Sequence, residues 1–236
     1  MVIDQESLIY INKVANLAKS IGIEELIIEP GKVRAIDADR SIFILHTDNV
    51  PDMSFGTIGL SRLDIFQTRL NIAKTFSNCT IEATIANDDK PFVRSITMKA
   101  KGFKVDFRCA NPQTIQAPKA YKGDKMFDFS VSPTIIDILT KGASAMKSDT
   151  VLLKGKDGIV EFEIEDINGD IFAYSMSDNL LVSSDSLQTG FSYRYPIKSL
   201  TQILKQDKPN IDISISSKGI LNLQSSDLDL YLFPRT

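Results

Sequence analysis

Apolar residues recur at helical spacing through Leu8–Ile21, LIYINKVANLAKSI. At about 100° per residue, Leu8, Ile11, Val14, Ala15, Leu17, Ala18 and Ile21 fall on one side, while Asn12, Lys13, Asn16, Lys19 and Ser20 share the other. The same period predicts a helix over Arg62–Thr75, with Leu63, Phe66, Leu70 and Ala73 as its stripe and Ser61 as its N-cap. A third is predicted over Thr134–Lys147 behind Ser132-Pro133, and a fourth over Ile197–Gln206, stopped by Pro209. Between them the pattern changes to alternation or short apolar runs bounded by turn residues. Strands are predicted at Met1–Asp4, Glu24–Glu29, Lys32–Ile36, Ser41–Thr47, Thr57–Leu60, Cys79–Ala86, Ser95–Ala100 and Lys104–Cys109. Further strands are predicted at Phe127–Val131, Thr150–Lys154, Ile159–Glu165, Asp170–Met176, Phe191–Tyr195, Asn210–Ser216, Gly219–Gln224 and Leu228–Phe233. Asp48–Ser54 and Asn87–Pro91 read as loops.

The order strand, helix, several strands, helix, several strands is thus written twice, although the halves share negligible residue identity. Between the copies Ala110–Lys125, ANPQTIQAPKAYKGDK, holds two prolines, a glycine and no run of core residues, and reads as an extended linker. This predicts an N-terminal domain over 1–110, a linker over 111–125 and a C-terminal domain over 126–236. The fold class is α+β: antiparallel sheets with two helices on one face of each domain. A chain of 236 residues that is 43% hydrophobic can fill two such cores.

Charge changes the picture because it is unevenly placed. The four helices carry Lys13, Lys19, Arg62, Arg69, Lys74, Lys141, Lys147, Lys198 and Lys205 against Glu6, Asp64 and Asp137. A formal charge of −3 therefore divides into +6 on the helices and −9 on the rest. Lysine on one helix serves solubility; the same bias on four helices of an acidic chain points to a shared anionic target, and nucleic-acid phosphate is the commonest. Lys with Asn12 and Asn16, and no interleaved aromatics, is a backbone-contacting vocabulary, so the expected contact is sequence-independent and salt-sensitive.

The remaining chemistry argues against catalysis. The single histidine, His46, sits in an apolar strand and reads as structural. Asp37 and Asp39, and Glu161, Glu163 and Glu165, alternate along strands and so share solvated faces, not a metal shell. There is no GxGxxG and no P-loop. Cys79 and Cys109 are expected as reduced thiols, and Asn78-Cys79-Thr80 as a chance sequon. With neither a leader-like nor a membrane-span pattern, a cytoplasmic, non-enzymatic protein without cofactor or metal is expected.

Val33–Leu45, VRAIDADRSIFIL, resembles the stretch of proliferating cell nuclear antigen and its relatives where an Arg-Ala-hydrophobic-Asp turn leads into an apolar strand. Ile58–Lys74, IGLSRLDIFQTRLNIAK, is similar to the family's next segment, a short strand ending in a helix, and Asn111–Lys119, NPQTIQAPK, resembles the linker of T-even-type phage clamps. The resemblance to DNA sliding clamps implies a head-to-tail homotrimeric ring around double-stranded DNA. Such a ring tethers DNA polymerase, has a clamp loader as a further partner, and needs no membrane. It also implies an outer groove for a partner's short hydrophobic tail, carried over to Ile36, Arg40, Ile42, Ile115, Leu232 and Pro234; Ile36 and Ile42 fit the core equally well, and Arg40 replaces the histidine common at this turn. The rival readings are a β-rich phage tail or capsid module and a processivity factor that closes no ring.

Overall fold

Asp4 caps the first helix, α1 (Gln5–Ser20): its carboxylate accepts from the Ser7 N–H at 2.8 Å and the Ser7 hydroxyl at 2.7 Å. The structure is a computed structural model and describes residues 1–47, 50–86, 91–118, 121, 123–177, 180–182, 190–205, 211–224 and 228–235. Two compact units divide the chain: Met1–Ala120 with Ser226–Leu228, and Tyr121–Ser225 with Asp229–Thr236.

In the first unit β1 (Leu26–Glu29), β2 (Lys32–Ile36), β3 (Ile42–His46) and β4 (Ile58–Leu60) form antiparallel pairs in the order β3-β2-β1-β4. All five residues of β3 are buried, as its unbroken apolar run requires. After α2 (Leu63–Lys74) come β5 (Thr80–Ala86), β6 (Phe92–Ala100) and β7 (Phe103–Arg108), a second antiparallel sheet in that order. The helices pack on each other, α1 also on β1 and α2 on β6 and β7. Ile11, Val14, Ala15 and Ala18 of α1 and Leu63, Phe66, Leu70 and Ala73 of α2 are the buried stripe, and Phe66 meets Phe107 edge-on at 5.2 Å.

The second unit runs β8 (Phe127–Val131), α3 (Thr134–Met146), β9 (Thr150–Lys156), β10 (Ile159–Glu165), β11 (Ile171–Met176), β12 (Leu181–Val182), β13 (Gly190–Pro196), α4 (Ile197–Leu204), β14 (Ile211–Ile215), β15 (Leu221–Gln224) and β16 (Asp229–Leu232). Its strands form two antiparallel groups, β12-β8-β14-β15-β16 and β11-β10-β9-β13. Asp157 and Gly158, both at positive φ, make the two-residue turn from β9 to β10. Helix α3 packs on α4, β10 and β11, and α4 on β13 and β16. Gly142 lets α3 approach closely, since a Cβ there would lie 2.7 Å from the Phe172 ring. Two tyrosines of β13 hold the turn before β15: Tyr193 donates to the Ser217 carbonyl at 2.8 Å and Tyr195 to that of Gly219 at 2.6 Å.

Several expectations change. Helix α2 begins at Leu63, and its cap position is Arg62 in a left-handed conformation (φ 55°) with no side-chain cap bond, not Ser61. Ser132 does accept from the Thr134 N–H, at 3.4 Å. The segment expected to be an extended linker begins with a turn: Asn111 accepts from the Gln113 N–H through its side chain and from the Thr114 N–H through its carbonyl. β12 does not show in the pattern because two residues are too few to carry a period. Parts of the expected loops Asp48–Ser54 and Asn87–Pro91 lie outside the described residues, as do Lys119, Gln206 and Pro209.

Candidate nucleic-acid interface

On the helix pair of the first unit Lys13, Lys19, Arg62, Lys74 and Asn16 are exposed, and Asn12 and Arg69 half-buried. On the pair of the second unit Lys141, Lys147, Lys198 and Lys205 are exposed. Each unit thus brings its expected cations together on one pair of helices, away from the apolar stripe. Lys19 and Arg62 also line one cleft of about 520 Å³, whose wall carries Glu24, Glu25 and Asp64.

Five of the strand cations are paired: Arg34 with Glu29 at 2.8 Å, Lys99 with Glu82 at 2.7 Å, Lys104 with Asp106 at 3.3 Å, Lys154 with Glu163, and Arg194 with Glu165 at 3.8 Å. Arg94, Arg108 and Lys156, also on strands, have no carboxylate partner among the described residues. Among the described residues Lys19, Lys74, Lys141, Lys147, Lys198 and Lys205 have no carboxylate partner. The pairing holds the Glu82 carboxyl below its usual range, chiefly through the bond from Lys99, and Asp106 below its own, first through the Thr97 hydroxyl and then Lys104. The anionic charge of the strands is therefore partly consumed locally, and these helix ammonium groups remain available to an external anion.

Arg62 and Arg69 differ from the lysines. Arg69 Nη1 donates to the Asp106 carbonyl at 2.8 Å and Arg62 Nη2 to that of Arg108 at 3.1 Å, and both guanidinium groups lie over the Phe107 ring, at 5.9 and 5.4 Å. They fasten α2 to β7. Sequence periodicity places them on the flank of the helix but carries no sign of this backbone contact.

The six residues carried over as a tail-binding groove are not one exposed surface. Ile42 is 2% exposed, Ile115 7% and Leu232 fully buried, so these three are core. Ile42 opens a strand covered on both faces, and Leu232 takes the inward position of β16 beside Leu230. The Ile115 side chain lies by Gly59, where a Cβ would come within 3.0 Å of it. Ile36 and Pro234 are half-buried. Exposed Arg40, at φ 56°, donates to Gln116 Oε1 at 3.2 Å. Arg34, missed in the sequence, donates twice to Glu29 and, at 3.4 Å, to the Pro118 carbonyl.

In the second unit a cavity of about 110 Å³ is lined by Tyr121, Asp124, Lys125, Ser214, Asn222 and Tyr231, none singled out by pattern. Burial first, and then Asp229, pushes the Tyr231 phenol up to about 12, and Asn222 Oδ1 is buried without a hydrogen-bond partner among the described residues. Elsewhere, His46 is buried within β3, and among the described residues no group of three or more His, Cys, Asp or Glu could hold a metal ion. Among them, too, no helix is long and apolar enough to cross a membrane.

Comparison with solved structures accounts for the whole chain. The proliferating cellular nuclear antigen of Entamoeba histolytica superposes with a TM-score of 0.66 at 13% identity, over 96% of this chain and 95% of that one. The PCNA of A. fulgidus, solved with the C-terminal region of FEN-1, gives 0.64 at 13% identity over 100% and 98%. The PCNA2–PCNA3 complex of Sulfolobus tokodaii gives 0.61 at 16% over 99% and 98%. The chain has the PCNA sliding-clamp fold. No protein-family profile and no curated protein sequence matches it. At these identities the shared property is the α+β fold, with its paired helices and antiparallel sheets.

Proposed function

We propose that the chain is a DNA sliding clamp, a non-enzymatic processivity factor that closes into a homotrimeric ring around duplex DNA and tethers a DNA polymerase. The observation that carries this reading is the set of exposed helix lysines without carboxylate partners, in a chain with the clamp fold. Ammonium groups carried by both helix pairs, without interleaved aromatics, attract phosphate without preferring a register, so the ring slides. The two domains are 1–110 and 126–236, with residues 111–118 of the joining segment 111–125 packed on the first through Ile115, and all nine helix cations with Asn12 and Asn16 line the hole.

Ring closure has candidate edges. β7 and β11 are outermost in their sheets, and among the described residues neither has a strand on its outer side. The other edges of the same two sheets carry bridges, Val2 to Glu82 on β5 and Arg194 of β13 to Arg235. Pairing β7 of one copy with β11 of the next is a heterologous contact that closes after a fixed number of subunits. The clamp loader and polymerase bind outside, at Arg40, Ile36 and Pro234; that a similar protein takes a protein partner is seen in the A. fulgidus PCNA solved with the C-terminal region of FEN-1.

Sedimentation equilibrium tests the ring: a concentration-dependent species near three times 26.2 kDa is expected. A chain that remains monomeric at high concentration refutes the ring.

A further inference from the structure

The outer edge of β7 is occupied in a way that bears on ring closure. The Cys109 N–H donates to the Arg94 carbonyl at 3.0 Å, so odd-numbered residues here turn their backbone groups towards β6 and even-numbered ones towards the open edge. The carbonyls of Asp106 and Arg108 both face that edge, and they are the two that accept from Arg69 and Arg62. A strand entering alongside β7 needs those acceptors for its own N–H groups. The guanidinium groups therefore hold the seam shut against a second strand, a local defence against unwanted edge pairing.

We infer that Arg62 and Arg69 latch the edge of β7 in the separate protomer and are released when β7 pairs with a second copy of this chain, so that ring closure and the freeing of two helix cations are one event. This rests on the ring reading above. In both states the carbonyls of Asp106 and Arg108 keep donors: guanidinium N–H before closure, backbone N–H of the neighbour after it. The guanidinium groups exchange carbonyl oxygen for phosphate oxygen, a stronger acceptor that suits their planar fork. By linkage, a duplex that captures the freed arginines tightens the ring by the same factor as the ring tightens on the duplex. Arg62 is held in the left-handed region, which is unfavourable for a residue with a Cβ. Its bond to Arg108 and its stacking on Phe107 offset that strain only while the latch is closed.

The test is the double variant Arg62→Ala/Arg69→Ala, its folding checked by thermal melting and its self-association measured with and without a duplex. The latch predicts protomers that associate more tightly, by at least about tenfold per interface, because assembly no longer breaks charge-assisted bonds. It also predicts a duplex-binding salt slope lower by about two per protomer, since each phosphate left without its cation takes about 0.9 from the slope. If that variant does not fold, Arg62→Lys/Arg69→Lys, which keeps charge and stem but not the planar fork, takes its place, and tighter association is again expected. A folded variant whose association is unchanged or weaker, in a wild-type background that does form rings, overturns the latch alone. Wild-type protein that stays monomeric on duplex overturns the ring reading and the latch together.

Discussion

Replacing Lys19, Lys141 and Lys198 together by alanine removes three exposed ammonium groups that have no carboxylate partner among the described residues. Surface positions of this kind contribute within about 0.5 kcal/mol each to stability, so the melting temperature is expected to move little. Their effect on DNA is different. Each phosphate contact adds about 0.9 to the slope of log affinity against log salt, so the slope of the triple variant should fall by up to about 2.7 per protomer. The matched control is Lys99, Lys104 and Lys154 to alanine, with the same change in net charge but with lysines that are 44%, 61% and 38% exposed and paired to Glu82, Asp106 and Glu163. Solvent screening leaves exposed pairs of this sort with little net effect on stability, so the control should melt slightly lower and keep its slope. The assay is duplex binding by fluorescence anisotropy from low to moderate salt. Equal reductions of slope in both triples would mean that net charge alone matters, and the assignment of the helix faces to DNA would fail.

Other expectations are more local. Ile115→Ala should destabilise the first unit by about 2–4 kcal/mol, the usual loss for a truncated core aliphatic, and should open the 112–118 segment to proteolysis; an unchanged melt would mean that Ile115 is no anchor. Tyr195→Phe deletes the buried bond to the Gly219 carbonyl and should cost about 1–2 kcal/mol, read as a lower urea midpoint. Hydrogen bonds hold the folded carboxyl groups of Asp4, Glu82 and Asp106 below their unfolded values, so the stability they contribute is present above about pH 4 and disappears as pH falls through the folded values. The urea midpoint should accordingly drop on acidification, and by less in Asp106→Asn. Burial pushes the Cys109 thiol up to about 12, so iodoacetamide at pH 8 should leave Cys109 unmodified in the folded chain; rapid labelling there would contradict its burial.

What could be read from the chain follows from how local each determinant is. The stripe of α1 and the turn at Asn168-Gly169 are spelled within a few neighbouring residues, and both stand in the structure. Gly158 marks a turn after β9 by its residue type alone, and Asp157-Gly158 make that turn. The start of α2 was not legible, because Arg62 takes the cap position on account of partners on β7, over forty residues away. Ile115 sits among prolines and polar residues and shows no period, so only the fold reveals that it fills the space beside Gly59. For Ile42 and Leu232 the local pattern and the resemblance point different ways: the apolar run of β3 and the alternation within β16 mark both as inward, and both are buried. The contrast between paired strand lysines such as Lys99 and unpaired helix lysines such as Lys141 needs distances, and composition could supply only its shadow, the division into +6 and −9.

Sliding and tethering both require that the protein encircle the duplex. Protein loaded on a nicked circular duplex and passed through a sizing column in high salt should remain with the circle, and should be lost once a single cut linearises it, because a ring slides off a free end. Equal retention on circular and linear DNA, or equal loss from both, would contradict a closed ring around the duplex.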